Sequence, residues 1–219
     1  MKILKFCLIA TLFAAMTACS SDSEDVTIPE SRSETEEGVN PGIAHFESVM
    51  NSELWTAGYH WDKIEALDFS DELLKSLTTA QLVECCGLYP FWSDYIYCGD
   101  LTFPGQAKFI LTRFNGFNAL KNRSDYAGHL IDAYEKVCIE AAAETLDGEV
   151  DKGFAWSNKH YVKKCYDYML LSEDYPDVFR GENGVRLRKL IEEYISISYF
   201  EVFGPMQQYL QEVADRYAE

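Results

Sequence analysis

The chain has 219 residues, 47% hydrophobic and 14% aromatic, with 36 acidic against 19 basic residues and a net charge of −17. Such a charge repels phosphate backbones and anionic headgroups, which argues against nucleic acid as a partner and against docking of the protein surface on anionic lipid. The seven cysteines follow no CxxC zinc spacing, and the length from Pro41 to Glu219 suits one domain with a substantial core.

The N-terminus reads as a secretion signal. Lys2 and Lys5 precede an apolar run from Phe6 to Ala15, about ten residues long against the roughly 20 needed to cross a hydrocarbon core. A basic start, a short apolar stretch and small residues before a cut make a secretory signal over residues 1–18. Met16-Thr17-Ala18-Cys19 resembles a bacterial lipobox, with Met16 at the position more often held by Leu. That resemblance implies cleavage before Cys19, lipidation of its thiol and anchoring by acyl chains. Each buried methylene then contributes about 0.8 kcal/mol. The alternative is an ordinary cleaved signal that happens to contain a cysteine.

Between Ser20 and Asn40 stand seven acids (Asp22, Glu24, Asp25, Glu30, Glu34, Glu36, Glu37) and one base, Arg32. Apolar residues are too few there to offset the entropy of ordering, so residues 19–40 read as a lipidated cysteine followed by a disordered acidic tether, with a reach of roughly 25 Å or more. Acids directly after the lipidated cysteine resemble the export signal of Bacteroidota surface lipoproteins. This implies an outer-membrane lipoprotein displayed at the cell surface. A spacer facing the periplasm is the alternative.

Residues 41–219 carry an apolar period near 3.6. Two or three short helices are predicted around Phe46, Trp55, Ile64 and Leu73 with Leu74. Thr78 and Gln81 form a capping box for a helix with Leu82, Cys85, Cys86 and Tyr89 on one face, ended by Tyr89-Pro90. A second helix runs from about Pro104 to Phe114, stopped by Asn115-Gly116. The longest starts after Ser124, with an inner stripe of Leu130, Tyr134, Val137, Cys138, Ala141 and Thr145, and closes at Asp147-Gly148. Ser157 caps another, lined by Val162, Cys165, Tyr166, Met169 and Leu170. Asn183-Gly184 punctuates before Leu187, Leu190, Ile191, Tyr194, Ile195 and Ser198. Gly204-Pro205 precedes a last helix through Met206, Tyr209, Leu210, Val213, Ala214 and Tyr217. The stretch Ile195–Val202 is the one place where β-branched and aromatic content would admit a strand. The fold class is therefore all-α: a single domain of about seven to nine helices, as an irregular bundle or a short α-solenoid.

SLTTAQLVECCGLYPFWSDYIY followed by RFNGFNALKNRSDYAGHLIDAYEKV resembles an all-helical segment of uncharacterised secreted proteins and lipoproteins of gut-type bacteria. The matching positions are Leu77, Thr78, Leu82, Val83, Cys86, Tyr89, Pro90, Phe114, Asn115, Gly116, Leu120 and Ala127. Each has a packing or turn role, so the resemblance implies a fold and no activity. The chain departs from that pattern around Cys98–Phe103.

Candidate sites are few. The run from Asp147 to Gly153 has alternating acids but lacks the sixth-position glycine and twelfth-position acid of an EF-hand. Glu140 with Glu144, and Glu192 with Glu193, lack the Glu-x-x-His partner of a carboxylate metal centre. His45, His60, His129 and His160 match no HExxH, and no GxSxG or phosphate loop occurs. A dyad of Cys165 with His160 or His129 fits the spacing but needs an electropositive, partly exposed thiolate. With Cys7 in the signal and Cys19 lipidated, Cys85, Cys86, Cys98, Cys138 and Cys165 remain. They read as buried thiols on apolar faces, with a link from Cys85 or Cys86 to Cys98 as the alternative. The aromatic surplus is the main signal for binding. Trp55 and Trp61 with Tyr59, and Trp92, Tyr95 and Tyr97, read either as core or as a partly exposed surface for a protein or glycan. No metal or other cofactor is implied. The functional expectation is a membrane-anchored helical interaction module, most simply for a protein partner. Glycan binding, and a hydrolase with an unrecognised site, are the alternatives.

Overall fold

The computed structural model describes residues 38–92, 111–146, 158–172 and 180–194, together with 178, 208, 210–212 and 215. Val39–Glu219 forms one compact unit. Among the described residues there are nine α-helices and no strand: α1 Pro41–Met50, α2 Glu53–Ala57, α3 His60–Ala66, α4 Asp71–Ser76, α5 Thr79–Gly87, α6 Asn115–Lys121, α7 Tyr126–Leu146, α8 Asn158–Leu171 and α9 Gly181–Tyr194. None is long and apolar enough to cross a membrane.

The chain enters the domain at a strong cap. The Asn40 side chain accepts from Gly42 N at 3.0 Å, and Pro41 supplies the fixed φ suited to a first helical turn. The same amide donates to the Gln81 carbonyl (3.0 Å) and to Glu84 Oε2 (2.8 Å), so the cap of α1 is also its fastening to α5. Gly42 makes this approach feasible, because a Cβ there would stand 2.4 Å from Cys85 Sγ. Where the apolar pattern predicts two or three helices before Leu77, the structure has four. Helices this short are unstable alone. They persist because Phe46, Ile64, Leu67, Phe69 and Leu77 enter the common core.

The capping box at the start of α5 forms as the sequence predicts: Thr78 Oγ1 accepts from Gln81 N at 3.2 Å, and Gln81 Oε1 accepts from Thr78 N at 2.9 Å. Asn115-Gly116, expected to stop a helix, instead opens α6. The chain does turn at residues 112–114, but Asn115 then restarts it through tertiary bonds. Its side chain accepts from Phe69 N (3.0 Å) and donates to Phe69 O (2.8 Å), while its own N–H donates to Asp68 Oδ1 (2.9 Å). Local sequence carries no sign of a partner 46 residues away. Asn183-Gly184, likewise expected as punctuation, lies in the first turn of α9, where Gly184 N already bonds Arg180 O at 3.1 Å. The chain turns into α9 at its first residue, Gly181, whose φ of +54° favours glycine.

α7 is the hub. It packs against α5, α8 and α9, while α1, α6 and α8 also touch α5. Contacts between helices distant in sequence make this an irregular bundle rather than a solenoid, whose units touch only their neighbours. The predicted α7 stripe is buried from Leu130 through Tyr134, Val137 and Cys138 to Ala141. For α8 the prediction of one apolar face falls short. Every residue from Lys163 to Ser172 is buried, so beyond its first turn this helix has no solvated side. Gly87 permits the α5–α8 contact, since a Cβ there would lie 2.4 Å from Tyr166 Cζ.

Aromatic rings form a contiguous part of the core. Tyr89 and Phe114 stack at 4.9 Å, Phe46 and Phe69 at 5.1 Å, and Phe69 meets Phe114 edge-on at 4.9 Å. Such pairs contribute about 0.5–1.5 kcal/mol beyond area burial. The Pro104 helix up to residue 110, the run from Asp147 to Gly153, and Ile195–Val202 lie outside the described residues.

Candidate functional site

Among the described residues, exposed large aromatics are confined to the corner between α2 and α3. The other exposed large apolar side chains (Val39, Leu88, Ile139, Val185) are aliphatic. Gly58 and Tyr59 have extended backbones, which ends α2 and turns the chain into α3. This leaves Tyr59 83% and Trp61 54% exposed.

The corner is braced from behind. Trp55, half-buried on α2, packs on the core with its ring 5.3 Å from Phe91. His60 sets its ring edge-on to Phe91 at 4.9 Å and to Trp61 at 5.7 Å. Two cations lie against the two indoles: Lys63 Nζ is 5.8 Å from the Trp55 ring centre, and the Arg113 guanidinium is 4.9 Å from that of Trp61. Each such contact contributes about 0.5–1 kcal/mol at an exposed site. The two indoles are thus held by neighbouring rings and cations, while Tyr59 stands beside them in solvent.

Of the residues singled out from sequence, the structure brings Trp55 and Trp61 together at this corner. Trp92 is different. It is fully buried, donates from Nε1 to Cys86 O at 2.7 Å and packs on Phe117 at 5.6 Å. Its ring faces are used within the core, so it offers no binding surface. Tyr89 and Phe91 are buried too. Phe117 of α6 covers Tyr89 and Trp92, Tyr168 of α8 covers Trp92, and Trp55 and His60 cover Phe91. Tyr95 and Tyr97, with Asp94 and Asp100, lie outside the described residues, as do Cys19 and Cys98. Of the bracing residues, His60 stood among the scattered histidines and Phe91 in the aromatic run that begins at Tyr89. Lys63 and Arg113 carried no sign in the sequence, and nothing local brings Arg113 to Trp61.

The catalytic and metal candidates are separated or occupied. His45 Nε2 lies 3.0 Å from Ala66 O. His129 Nε2 is 3.5 Å from Asp125 Oδ2, and Asp125 also accepts from Thr79 Oγ1 at 2.8 Å. The carboxylate, not the imidazole, contacts the hydroxyl, so this trio lacks the order that activates a nucleophile. Glu140 pairs with Lys159 at 2.5 Å and Glu192 with Arg188 at 2.8 Å. No group of three metal-ligating side chains occurs among the described residues. Cys85, Cys86, Cys138 and Cys165 are free and buried, and the alternative of a link to Cys98 falls on a residue outside the described ones. Burial pushes the Cys85 and Cys138 thiols up to about 12 and holds those of Cys86 and Cys165 well above the ordinary range. Cys165 therefore lacks the thiolate its dyad would need. A shallow depression of about 610 Å³ lies by Asp71, Leu74, Lys75, Asn122 and Arg123. Arg123 is spent there on the carbonyls of Leu74 (2.7 Å) and Leu77 (3.2 Å) at the end of α4.

Comparison with known protein families, curated proteins and solved structures returns no match.

Proposed function

We propose that the protein is a lipid-anchored, extracytoplasmic helical interaction module that engages a protein partner through the α2–α3 corner. The observation that carries this reading is the exposure of Tyr59 and of Trp61, the latter braced by Arg113 and His60, where the other large aromatics among the described residues are buried or half-buried. Aromatic anchors ringed by polar groups dominate the energy of protein interfaces. The anchor rests on the sequence: a short apolar run, small residues and Cys19, then an acidic tether. Acids after the cysteine favour display at the outer-membrane surface over a periplasm-facing position.

Two measurements test the proposal. Palmitate labelling of wild type against Cys19→Ser tests the anchor, and equal labelling removes it. Crosslinking on intact cells, comparing wild type with Tyr59→Ser/Trp61→Ala, tests the corner. A specific adduct that survives the double substitution refutes that surface. Binding to a glycan array that depends on the same two residues would replace the protein partner with a carbohydrate.

A further inference from the structure

We propose that Tyr134, Lys163 and Asp167 form a register lock that fixes α8 against α7 in one alignment. Lys163 and Asp167 lie one turn apart on α8, and each side chain is 1% exposed. The Lys163 ammonium sits 3.0 and 3.1 Å from the two Asp167 carboxylate oxygens. Across the interface, the Tyr134 hydroxyl of α7 donates to Asp167 Oδ1 at 2.8 Å and accepts from Lys163 Nζ at 3.3 Å. The ammonium also lies 5.2 Å from the centre of the Tyr134 ring. The Cys138 thiol, one turn along α7, completes the polar neighbourhood.

Stability alone gives little reason for this arrangement. Both ions lose water on burial, and a well-packed apolar trio of similar volume is often as stable or more so. What the cluster adds is position. Elsewhere both helices carry buried apolar residues spaced by whole turns, such as Leu130, Val137 and Ala141 on α7 and Cys165 and Met169 on α8. Sliding α8 by one turn, about 5.4 Å, would replace one set of apolar contacts with a similar set. The lysine–aspartate pair would travel with α8, because both residues belong to it. The tyrosine hydroxyl would not. A slipped pair would lose both hydrogen bonds to that hydroxyl, and hydrogen bonds to buried charged groups are costly to lose. The hydroxyl of Tyr134 is thus the part of the lock that reads register, and buried polar groups in this role are best attested in helix pairs.

The test is Tyr134→Phe, which keeps the ring and the ion pair and removes only the cross-helix oxygen. The expected result is a folded, helical protein with more than one set of amide resonances for α7 and α8, and amide exchange in α8 at least tenfold faster than in wild type. One set of resonances with unchanged exchange overturns the proposal, and so does failure of the variant to fold, which would make the oxygen a requirement for stability. The triple variant Tyr134→Phe/Lys163→Met/Asp167→Leu is the second arm. It is expected to keep its helicity and melting temperature while losing spectral uniqueness. A single sharp spectrum, or an unfolded chain, refutes the lock.

Discussion

Asn115→Ala is the sharpest probe of how this bundle closes. The substitution removes two hydrogen bonds, from Phe69 N at 3.0 Å and to Phe69 O at 2.8 Å, and leaves the backbone bond to Asp68 at 2.9 Å in place. A net hydrogen bond contributes about 1 kcal/mol, and a stranded buried partner costs about 1–3 kcal/mol. Asn115 is half-buried, so water reaches part of the gap, and the expected loss is about 2–3 kcal/mol. At about 2–4 °C per kcal/mol for a chain this size, the melting temperature should fall by about 4–12 °C. Asn115→Asp should lose more than alanine at neutral pH, since a carboxylate oxygen would face the Phe69 carbonyl beside Asp68, whose own carboxyl is already pushed up by burial. Asn118→Ala, exposed on the same helix, should change stability by less than about 0.5 kcal/mol. Urea unfolding followed by tryptophan fluorescence measures all three. If Asn115→Ala proves no more costly than Asn118→Ala, the pairing with Phe69 is not what fastens α6 to the rest of the domain.

Gly42→Ala should destabilise by about 1–3 kcal/mol, read by thermal melting, because its Cβ would press on Cys85 Sγ at 2.4 Å and Phe69 Cζ at 2.9 Å. Cys85, Cys86, Cys138 and Cys165 should resist iodoacetamide at pH 8 in the native protein and label fully in urea, as mapped by mass spectrometry. Labelling of any of them before unfolding would show an open core. Burial lowers the Lys164 amine from 10.5 to about 8, so the unfolded chain holds that proton more tightly. The penalty is complete below about pH 8 and is relieved as pH rises toward 10.5. Lys164→Met should therefore exceed wild type in stability at neutral pH by up to about 3 kcal/mol, with a margin that shrinks across that window. A margin independent of pH would show that Lys164 is not the titrating group.

Local and tertiary information divide cleanly in this protein. The 3.6-residue period, the Thr78–Gln81 box and the α7 stripe from Leu130 to Ala141 were legible in the chain, because each depends on neighbours within a turn or two. The burial of four thiols was legible for the same reason, since apolar faces carry them inward. Of the candidate site, the Trp55–Trp61 pairing could be read, for those residues are close in sequence. Tertiary structure alone decided which aromatics face solvent: α6 and α8 enclose Trp92, while Trp61 stays open. It also decided that Asn115 starts a helix, that Arg113 reaches Trp61, and that α8 is buried around its circumference with Lys163 and Asp167 inside. A side chain's periodicity says which face it occupies. How many neighbours crowd that face is set by segments dozens of residues away, and in a core built from large rings that crowding separates a structural tryptophan from an available one.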